Sequence, residues 1–329
     1  KLLRRLQSLY DKRLANQARA RWAAEKLFAA DPADEQARAD LARLADDTGK
    51  QEIFAQAVEA ALGRLDEEDT GLELALRWDL AKILDEPLSR AEEAEEHARR
   101  IIELDPTHGD AYGLLERILR DKGKWMELRE VLQQRLDLSE SADDKRYILG
   151  QICALNEDVL GDEGAAIAAY EQMLVLEPSD DEAVRALERH YRDGERWEDL
   201  AGFYAARLEH APDGAAFASL KVQQAEVRAR ELAQVDTALD LLEEVVATDP
   251  EQSEAISLLE LLLTEDEKRR RITEILEGVY QRTTRWKDLV TVLLIRRDLS
   301  EDRFEQVELL TRVARLSEEQ IEDLDTAFY

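Results

Sequence analysis

Apolar residues recur three and four positions apart along most of this chain. Trp125, Leu128, Val131, Leu132 and Leu136 fall on one helical face, and Trp197, Leu200, Phe203, Tyr204 and Leu208 repeat the arrangement. No stretch alternates apolar and polar residues between turn residues, which is the mark of a half-buried strand. Thr107-x-x-Asp110 and Ser179-x-x-Glu182 have the spacing of N-capping pairs, and Gly123, Gly194 and Asp213-Gly214 punctuate the pattern. The pattern predicts an all-α protein of about eighteen helices and no sheet.

A long internal repeat organises these helices. Four acid-proline pairs, Asp31-Pro32, Asp105-Pro106, Glu177-Pro178 and Asp249-Pro250, stand at positions that step by 74, 72 and 72. A leucine stands at one fixed distance before each proline, at Leu14, Leu88, Leu160 and Leu232. LLERILRDKGKW (114–125) returns as ALERHYRDGERW (186–197), with six identities. Pro178, Pro212 and Pro250 divide a unit unequally, so each unit reads as a short helical hairpin and one about a turn longer. The chain is expected to be a single array over 1–329, with sub-units near 1–32, 33–106, 107–178, 179–250 and 251–329. Trp125 and Trp197 follow Pro106 and Pro178 at the same interval, but Trp286 follows Pro250 at nearly twice that interval. Ile272, Ile275, Leu276, Val279 and Tyr280 predict that an extra amphipathic helix at about 265–281 fills the difference. Residues 321–328 match 160–167, so the chain stops partway into a helix, and it also opens in one. Such ends fit a fragment of a longer array, because solenoid ends normally carry polar caps.

The short hairpins, about 34 residues each, resemble tetratricopeptide repeats (TPR). Ala183, Leu187, Tyr191, Trp197 and Pro212 match that family's offsets, as do Ala111, Leu115, Gly123 and Trp125, while Ala166, Tyr170, Leu174 and Pro178 fit its second helix. The resemblance implies a right-handed α-solenoid of stacked antiparallel hairpins. Two departures stand out. Glu116, Glu188 and Glu260 occupy the small-residue position where helix A approaches helix B, and Leu128 and Leu200 replace the helix-B alanine. They imply looser or rotated packing. More weakly, the paired units resemble the very large TPR proteins of myxobacteria tied to gliding or envelope machinery.

Charge narrows the functional classes. The 329 residues carry 75 acidic and 45 basic side chains, a net charge of −30, which argues against binding nucleic acid through displaced counterions. The charge is uneven: residues 1–26 carry +6, 268–303 carry +4, the tail from 304 carries −5, and the middle −35. Arg outnumbers Lys threefold and Ala is abundant, the composition of a GC-rich bacterium. No apolar run is long enough to insert into a membrane and no leader-like start is present, so a cytoplasmic location is expected, with the periplasm as the alternative.

The chain offers little catalytic chemistry. His97, His108, His190 and His210 form no HxxxH or HExxH, and Glu95-Glu96-His97 reads as a solvated helix face. Cys153, the sole cysteine, falls at an apolar helical position. No phosphate-cradling glycine loop exists. Asp66-Glu67-Glu68-Asp69 lacks the alternating spacing and glycine of a calcium loop. Three of the five tryptophans recur directly after a turn, a packing role. No cofactor, no metal and no enzymatic activity are expected.

Two basic features are the binding candidates. In the resembled family helix A lines a concave groove, and its inward positions here are Arg43, Arg117, Arg120, Arg189 and Arg192. Arginines so placed suit the carboxylates of an acidic peptide or a chain terminus. The same residues also make i,i+4 pairs, Glu116–Arg120, Arg117–Asp121, Glu188–Arg192 and Arg189–Asp193, which exposed helices use for modest support. Lys268, Arg269, Arg270 and Arg271 open the extra helix, either as a contact site or as a solvated helix start. The expected function is a non-enzymatic scaffold binding proteins or peptides along a curved helical surface, with basic partners favoured by the acidic body. Basic ends against an acidic middle also permit self-association. The alternative is a regulatory or sensor solenoid whose effector domain lies outside this stretch.

Overall fold

The computed structural model describes residues 2–66, 69–211 and 214–321. Glu67 and Glu68 of the acidic run, Pro212, Asp213 and the matched stretch 322–328 lie outside the described residues. Eighteen α-helices and no strand occur among those described. The chain divides into two units, one up to Ala169 and one from Tyr170.

The first unit contains α1 (Leu2–Lys12), α2 (Gln17–Ala30), α3 (Glu35–Asp47), α4 (Gln51–Leu62), α5 (Thr70–Asp85), α6 (Ala91–Leu104), α7 (Gly109–Asp121), α8 (Trp125–Leu138) and α9 (Ala142–Ala154). A π-helical turn, Leu155–Leu160, extends α9, and α10 (Glu163–Leu176) begins before the division and ends after it. Each helix from α1 to α9 packs on its sequence neighbours. Turns of a few residues force each helix back along its predecessor, so the packing is that of hairpins in series. Leu41, Leu44, Leu76, Leu80, Leu84, Leu115 and Leu119 are buried in this unit. Each contributes about 1.5–3 kcal/mol relative to exposure.

The second unit contains α11 (Asp181–Asp193), α12 (Trp197–His210), α13 (Ala215–Arg230), α14 (Val235–Thr248), α15 (Ser253–Leu262), α16 (Arg269–Arg282), α17 (Trp286–Leu299) and α18 (Arg303–Leu316), closed by a π-helical turn at Ser317–Ile321. Its helices also pack in sequence order, with further contacts of α13 with α15 and α14 with α16. Leu239, Leu242, Leu259, Leu276 and Leu293 form a continuous core with Val245, Ile272 and Tyr280.

The turns share one backbone device. Within the short hairpins (α3–α4, α7–α8, α11–α12, α16–α17) the left-handed residue is Gly49, Gly123, Glu195 or Thr284, with φ of 60°, 66°, 52° and 56°. The next amide closes back on the helix, Lys50 N to Ala45 O at 2.7 Å, Lys124 N to Leu119 O at 2.9 Å, Arg196 N to Tyr191 O at 2.7 Å and Arg285 N to Tyr280 O at 3.0 Å. This is the six-to-one bond of a Schellman cap. Within the long hairpins the left-handed residue is Ala15, Ser89, Gly161 or Ala233. There the closing bond reaches one residue further, as from Arg90 N to Leu84 O at 2.7 Å and Asp162 N to Asn156 O at 3.0 Å. Gly194, which the sequence marks as the turn residue, has φ of −84°, and the left-handed position falls one residue later on Glu195.

The acid-proline steps have a local cause too. The carboxylates of Asp31, Asp105 and Asp249 each accept the backbone N–H two residues on, at 3.0–3.2 Å, so the side chain closes the turn that the proline opens. The helix caps lie one residue beyond the predicted ones. His108 Nδ1 accepts from Ala111 N at 3.2 Å, and Asp180 caps Glu182 and Ala183. Thr107 instead donates its hydroxyl to Asp105.

The register break resolves differently from its sequence reading. A helix does lie across residues 269–282, but it has the register of a first helix. Leu276, Glu277, Tyr280 and Trp286 follow Leu187, Glu188, Tyr191 and Trp197 at one constant offset. The supernumerary helix is therefore α15. It keeps the start of a first-helix pattern (Ala255, Leu259) but is only 10 residues long.

Candidate functional site

The arginines marked by the sequence sit on the exposed faces of first helices. Arg43 on α3 reaches Asp11 of α1 at 2.6 Å and Asp47 at 3.1 Å. The Asp11 hydrogen bond raises its already high pKa. Arg117 on α7 pairs with Asp85 of α5, whose carboxylate is buried. Both bonds join positions with the same separation, one stitch repeated in successive repeats. Arg120 is exposed and makes no ion pair among the described residues. In the second unit Arg189 is exposed on α11, and Arg192 donates to the hydroxyl of fully buried Tyr204 on α12 at 3.1 Å.

The glutamates expected to pair along these helices turn inward instead. Glu116 accepts from Arg135 of α8 at 2.7 Å, Glu188 lies 3.7 Å from Arg207 of α12, and Glu277 accepts from Arg296 of α17 at 2.7 Å. Every pair has the same separation along the chain and ties the first helix of a short hairpin to its second. This explains the missing small residue: the glutamate spans a gap that a closer helix contact would otherwise close. Among the described residues neither Glu116–Arg120 nor Arg117–Asp121 forms an ion pair, whereas the i,i+4 pairs Arg43–Asp47 and Arg270–Glu274 do.

Glu260 plays another part. Tyr280 donates to it at 2.6 Å, as Tyr191 donates to Glu171 at 2.7 Å. Arg285 stacks 4.6 Å over the Tyr280 ring and Arg196 5.1 Å over the Tyr191 ring. Burial, reinforced by the accepting carboxylate, pushes both tyrosine hydroxyls well above their ordinary pKa. The two constellations are related by the same offset that relates α16 to α11, so α15 supplies against α16 what α10 supplies against α11. A polar cleft of about 340 Å³ lies beside Glu260 and Arg285, lined also by Ser253, Ser257 and Thr283.

The basic run at the start of α16 meets carboxylates throughout. Lys268 reaches Asp236 at 2.6 Å, Arg271 reaches Asp240 at 2.5 Å and Glu243 at 3.0 Å, and Arg269 reaches Asp266 at 2.6 Å. Arg270 lies 3.5 Å from both Glu274 and Glu305. The run thereby clamps the 263–268 turn and α16 onto α14.

Sequence reasoning passed over one centre. Glu95 on α6 is buried, not solvated, and receives Lys124 at 2.9 Å, Arg99 at 3.0 Å and Lys122 at 3.2 Å. Burial alone would raise its pKa, but these hydrogen bonds prevail and hold the carboxyl down to about 2. His97 beside it lies 3.2 Å from Arg77, and burial, then the Arg77 charge, lowers its pKa. Among the described residues no group of His, Cys, Asp and Glu is placed to hold a metal, and Cys153 is buried. Among them, too, no helix is long and apolar enough to cross a membrane.

No family model and no curated protein matches the chain. Similar solved structures include the C-terminal part of a TPR repeat-containing protein from Cytophaga hutchinsonii, at 16% identity over 78% of this chain and 98% of that one, TM-score 0.36. A tetratricopeptide repeat protein from Parabacteroides merdae is 14% identical over 80% and 97%, TM-score 0.34. YrrB, described as a TPR protein with an unusual peptide-binding site, is 18% identical over 62% and 98%, TM-score 0.29. They lend no support to the myxobacterial resemblance. By its short hairpins of about 34 residues and by helices that pack in sequence order within each of its two units, this chain has a tetratricopeptide-type all-α fold.

Proposed function

We propose that this protein is a non-enzymatic scaffold that holds carboxylate-bearing segments of other proteins against the arginines of its first helices. The observation that carries this reading is Arg120. It is an exposed guanidinium on the same helix as Arg117 and is not committed to any described carboxylate. A planar guanidinium free on both edges can take a carboxylate bidentately. Arg43, Arg117, Arg189 and Arg192 extend the same chemistry, with the difference that a ligand must compete with Asp11 at Arg43, Asp85 at Arg117, the Tyr204 hydroxyl at Arg192 and an internal partner at Arg189 too. Lys268, Arg269, Arg270 and Arg271 form a second contact region on the same terms. The acidic body repels highly charged acidic chains at long range, so the favoured partner combines local carboxylates with basic flanks.

Fluorescence anisotropy with labelled peptides carrying an acidic core between basic flanks tests this. Arg120→Ala removes no intramolecular ion pair, so its fold and melting stay as in wild type. We expect it to weaken peptide binding about tenfold, the loss of one charged hydrogen-bonded contact. Equal binding by wild type and Arg120→Ala, or no peptide binding at all, refutes the reading.

A further inference from the structure

Two half-buried histidines of the first unit meet neighbouring residues of α5 and accept from groups that can only donate. His97 of α6 lies 3.2 Å from the Arg77 guanidinium through its Nδ1, and the ring of His108, at the start of α7, lies 5.2 Å from the ring of Trp78. A guanidinium has no lone pair to offer, and neither has a backbone N–H. Nδ1 is therefore the acceptor in the Arg77–His97 contact. It is the acceptor again where His108 caps α7, taking the Ala111 N–H at 3.2 Å. Both contacts exist only while the imidazoles are neutral, with the ring proton on Nε2.

The repeat shows what the capping position holds elsewhere. Asp34 and Asp180 stand in place of His108 and cap α3 and α11, accepting from Ala37 N at 3.2 Å and Ala183 N at 3.1 Å. A carboxyl group keeps an acceptor oxygen in either protonation state, and its anion suits a helix N-terminus. An imidazolium there has lost its acceptor and carries the wrong sign for the helix dipole.

The charges around the two rings come from every side of the joint. Arg77 of α5 bears on His97, opposed by Glu93 on His97's own helix, and Glu73 holds Arg77 in place at 2.6 Å. The turn after α7 sends Lys122 and Lys124 to Glu95 of α6. His108 has Asp105 within its own turn, and Lys82 of α5 lies 5.5 Å from the Trp78 ring. We infer that α5, α6 and α7 form a pH-sensitive joint: mild acid turns Nδ1 of His97 and His108 from acceptors into donors, releases Arg77 and the first turn of α7, and loosens α6 and α7 against α5, while α3, capped by a carboxylate, stays closed. Burial, then the Arg77 charge, lowers the His97 pKa below its ordinary 6.5. The support from that contact is therefore complete above the ordinary value and is lost as the pH falls below it. Glu95 stays ionised throughout, because its carboxyl is held at about 2. The Arg117–Asp85 bond spans the same joint, so acid also uncouples the helix that presents Arg117 and Arg120 from the helix that holds Asp85. The joint works in the same way whether or not those arginines bind a ligand.

Hydrogen exchange of the 329-residue chain, read by mass spectrometry on fragments spanning α3, α6 and α7, tests this between about pH 7.5 and about pH 5.5. At the lower pH an imidazole released to solvent is protonated about ten times as often as it is neutral. After correction for the intrinsic exchange rate, α6 and α7 are expected to lose up to about tenfold in protection relative to α3. His108→Asp installs the side chain that caps α3 and α11, and His97→Gln keeps an acceptor oxygen for Arg77. The first substitution is expected to spare α7 from acid and the second α6. The double variant should exchange in mild acid as wild type does at neutral pH. Fragments of α6 and α7 that track α3 at every pH overturn the inference, and so does a double variant that still loses protection in acid. A variant whose α6 or α7 is already open at neutral pH overturns it too, since both replacements retain the acceptor on which the joint depends.

Discussion

The left-handed turn residues allow a sharp test of how the hairpins are closed. Among the described residues eight hairpin turns place a residue in the left-handed region, with φ of 46–66°, and at five of them it is not glycine: Ala15, Ser89, Glu195, Ala233 and Thr284. An L-residue in that conformation costs roughly 1–2 kcal/mol because its Cβ crowds the following carbonyl, and a β-branched residue is worst placed. Thr284 is exposed, and its hydroxyl makes no hydrogen bond among the described residues, so Thr284→Gly removes strain without removing a side-chain contact. Against this gain stands the larger backbone freedom of glycine in the unfolded chain, about 0.5–1 kcal/mol. The net expectation is a stabilisation of about 0.5–1 kcal/mol. Gly49→Ala is the mirror experiment: φ is 60° and an added Cβ would meet nothing within 4 Å, so only backbone conformation changes, and a loss of about 1 kcal/mol follows.

Urea unfolding followed by far-UV circular dichroism measures both substitutions. The midpoint rises for Thr284→Gly and falls for Gly49→Ala, with the slope unchanged because the buried surface is unchanged. Glu195→Gly should behave like Thr284→Gly but gain less, since glutamate is not β-branched. Shifts of the same sign for Thr284→Gly and Gly49→Ala refute the argument, because then φ at the turn does not control the outcome.

The buried carboxylate of Glu95 makes stability depend on acid. Its folded pKa of about 2 lies below the ordinary 4.5, so its contribution, roughly 2–3 kcal/mol, is complete above pH 4.5 and is lost as the pH falls from there towards 2. In acid titrations of the urea midpoint, Glu95→Gln should flatten that descent, and an unchanged profile counts against the centre. Glu116→Ala leaves Arg135 half-buried without its carboxylate and should cost roughly 1–3 kcal/mol, whereas Glu116→Leu with Arg135→Met should stay within about 1 kcal/mol of wild type. A double variant as destabilised as the single one would show that the charge pair, not the gap it spans, is what the hairpin needs.

The helical class and the two-hairpin unit are legible in the sequence because both are written in spacing. Helical periodicity and acid-proline steps survive even where individual residues differ. Placement within a turn is less legible. Gly194 draws attention as the most permissive residue, yet the left-handed conformation falls on Glu195, since the closing bond from Arg196 to Tyr191 fixes which residue must reverse. The register break misleads for a related reason. α15 and α16 both carry the pattern of a first helix, so spacing counted forward from Pro250 assigns that role to α15. Counted backward from Trp286 it belongs to α16, and the Tyr280–Glu260 and Arg296–Glu277 bonds select the second count.

Binding residues are the hardest to read, because an arginine's part depends on which carboxylate lies one helix away. Arg117 and Arg120 are one helical turn apart and equally exposed in pattern, yet Asp85 engages the first and no described residue engages the second. Neither outcome could be read from an i,i+4 rule, which sees only the helix's own face. The excess of acid supplies the reason. With 75 carboxylates for 45 basic groups, cations of this chain readily find an internal partner, and a ligand must either displace that partner or reach a cation that lacks one. Among the described residues Arg120 on α7 and Arg5, Lys12 and Arg13 around the α1–α2 hairpin make no ion pair, and neither do Lys50, Arg64 and Lys145, so at such cations a carboxylate of another chain meets the least internal competition.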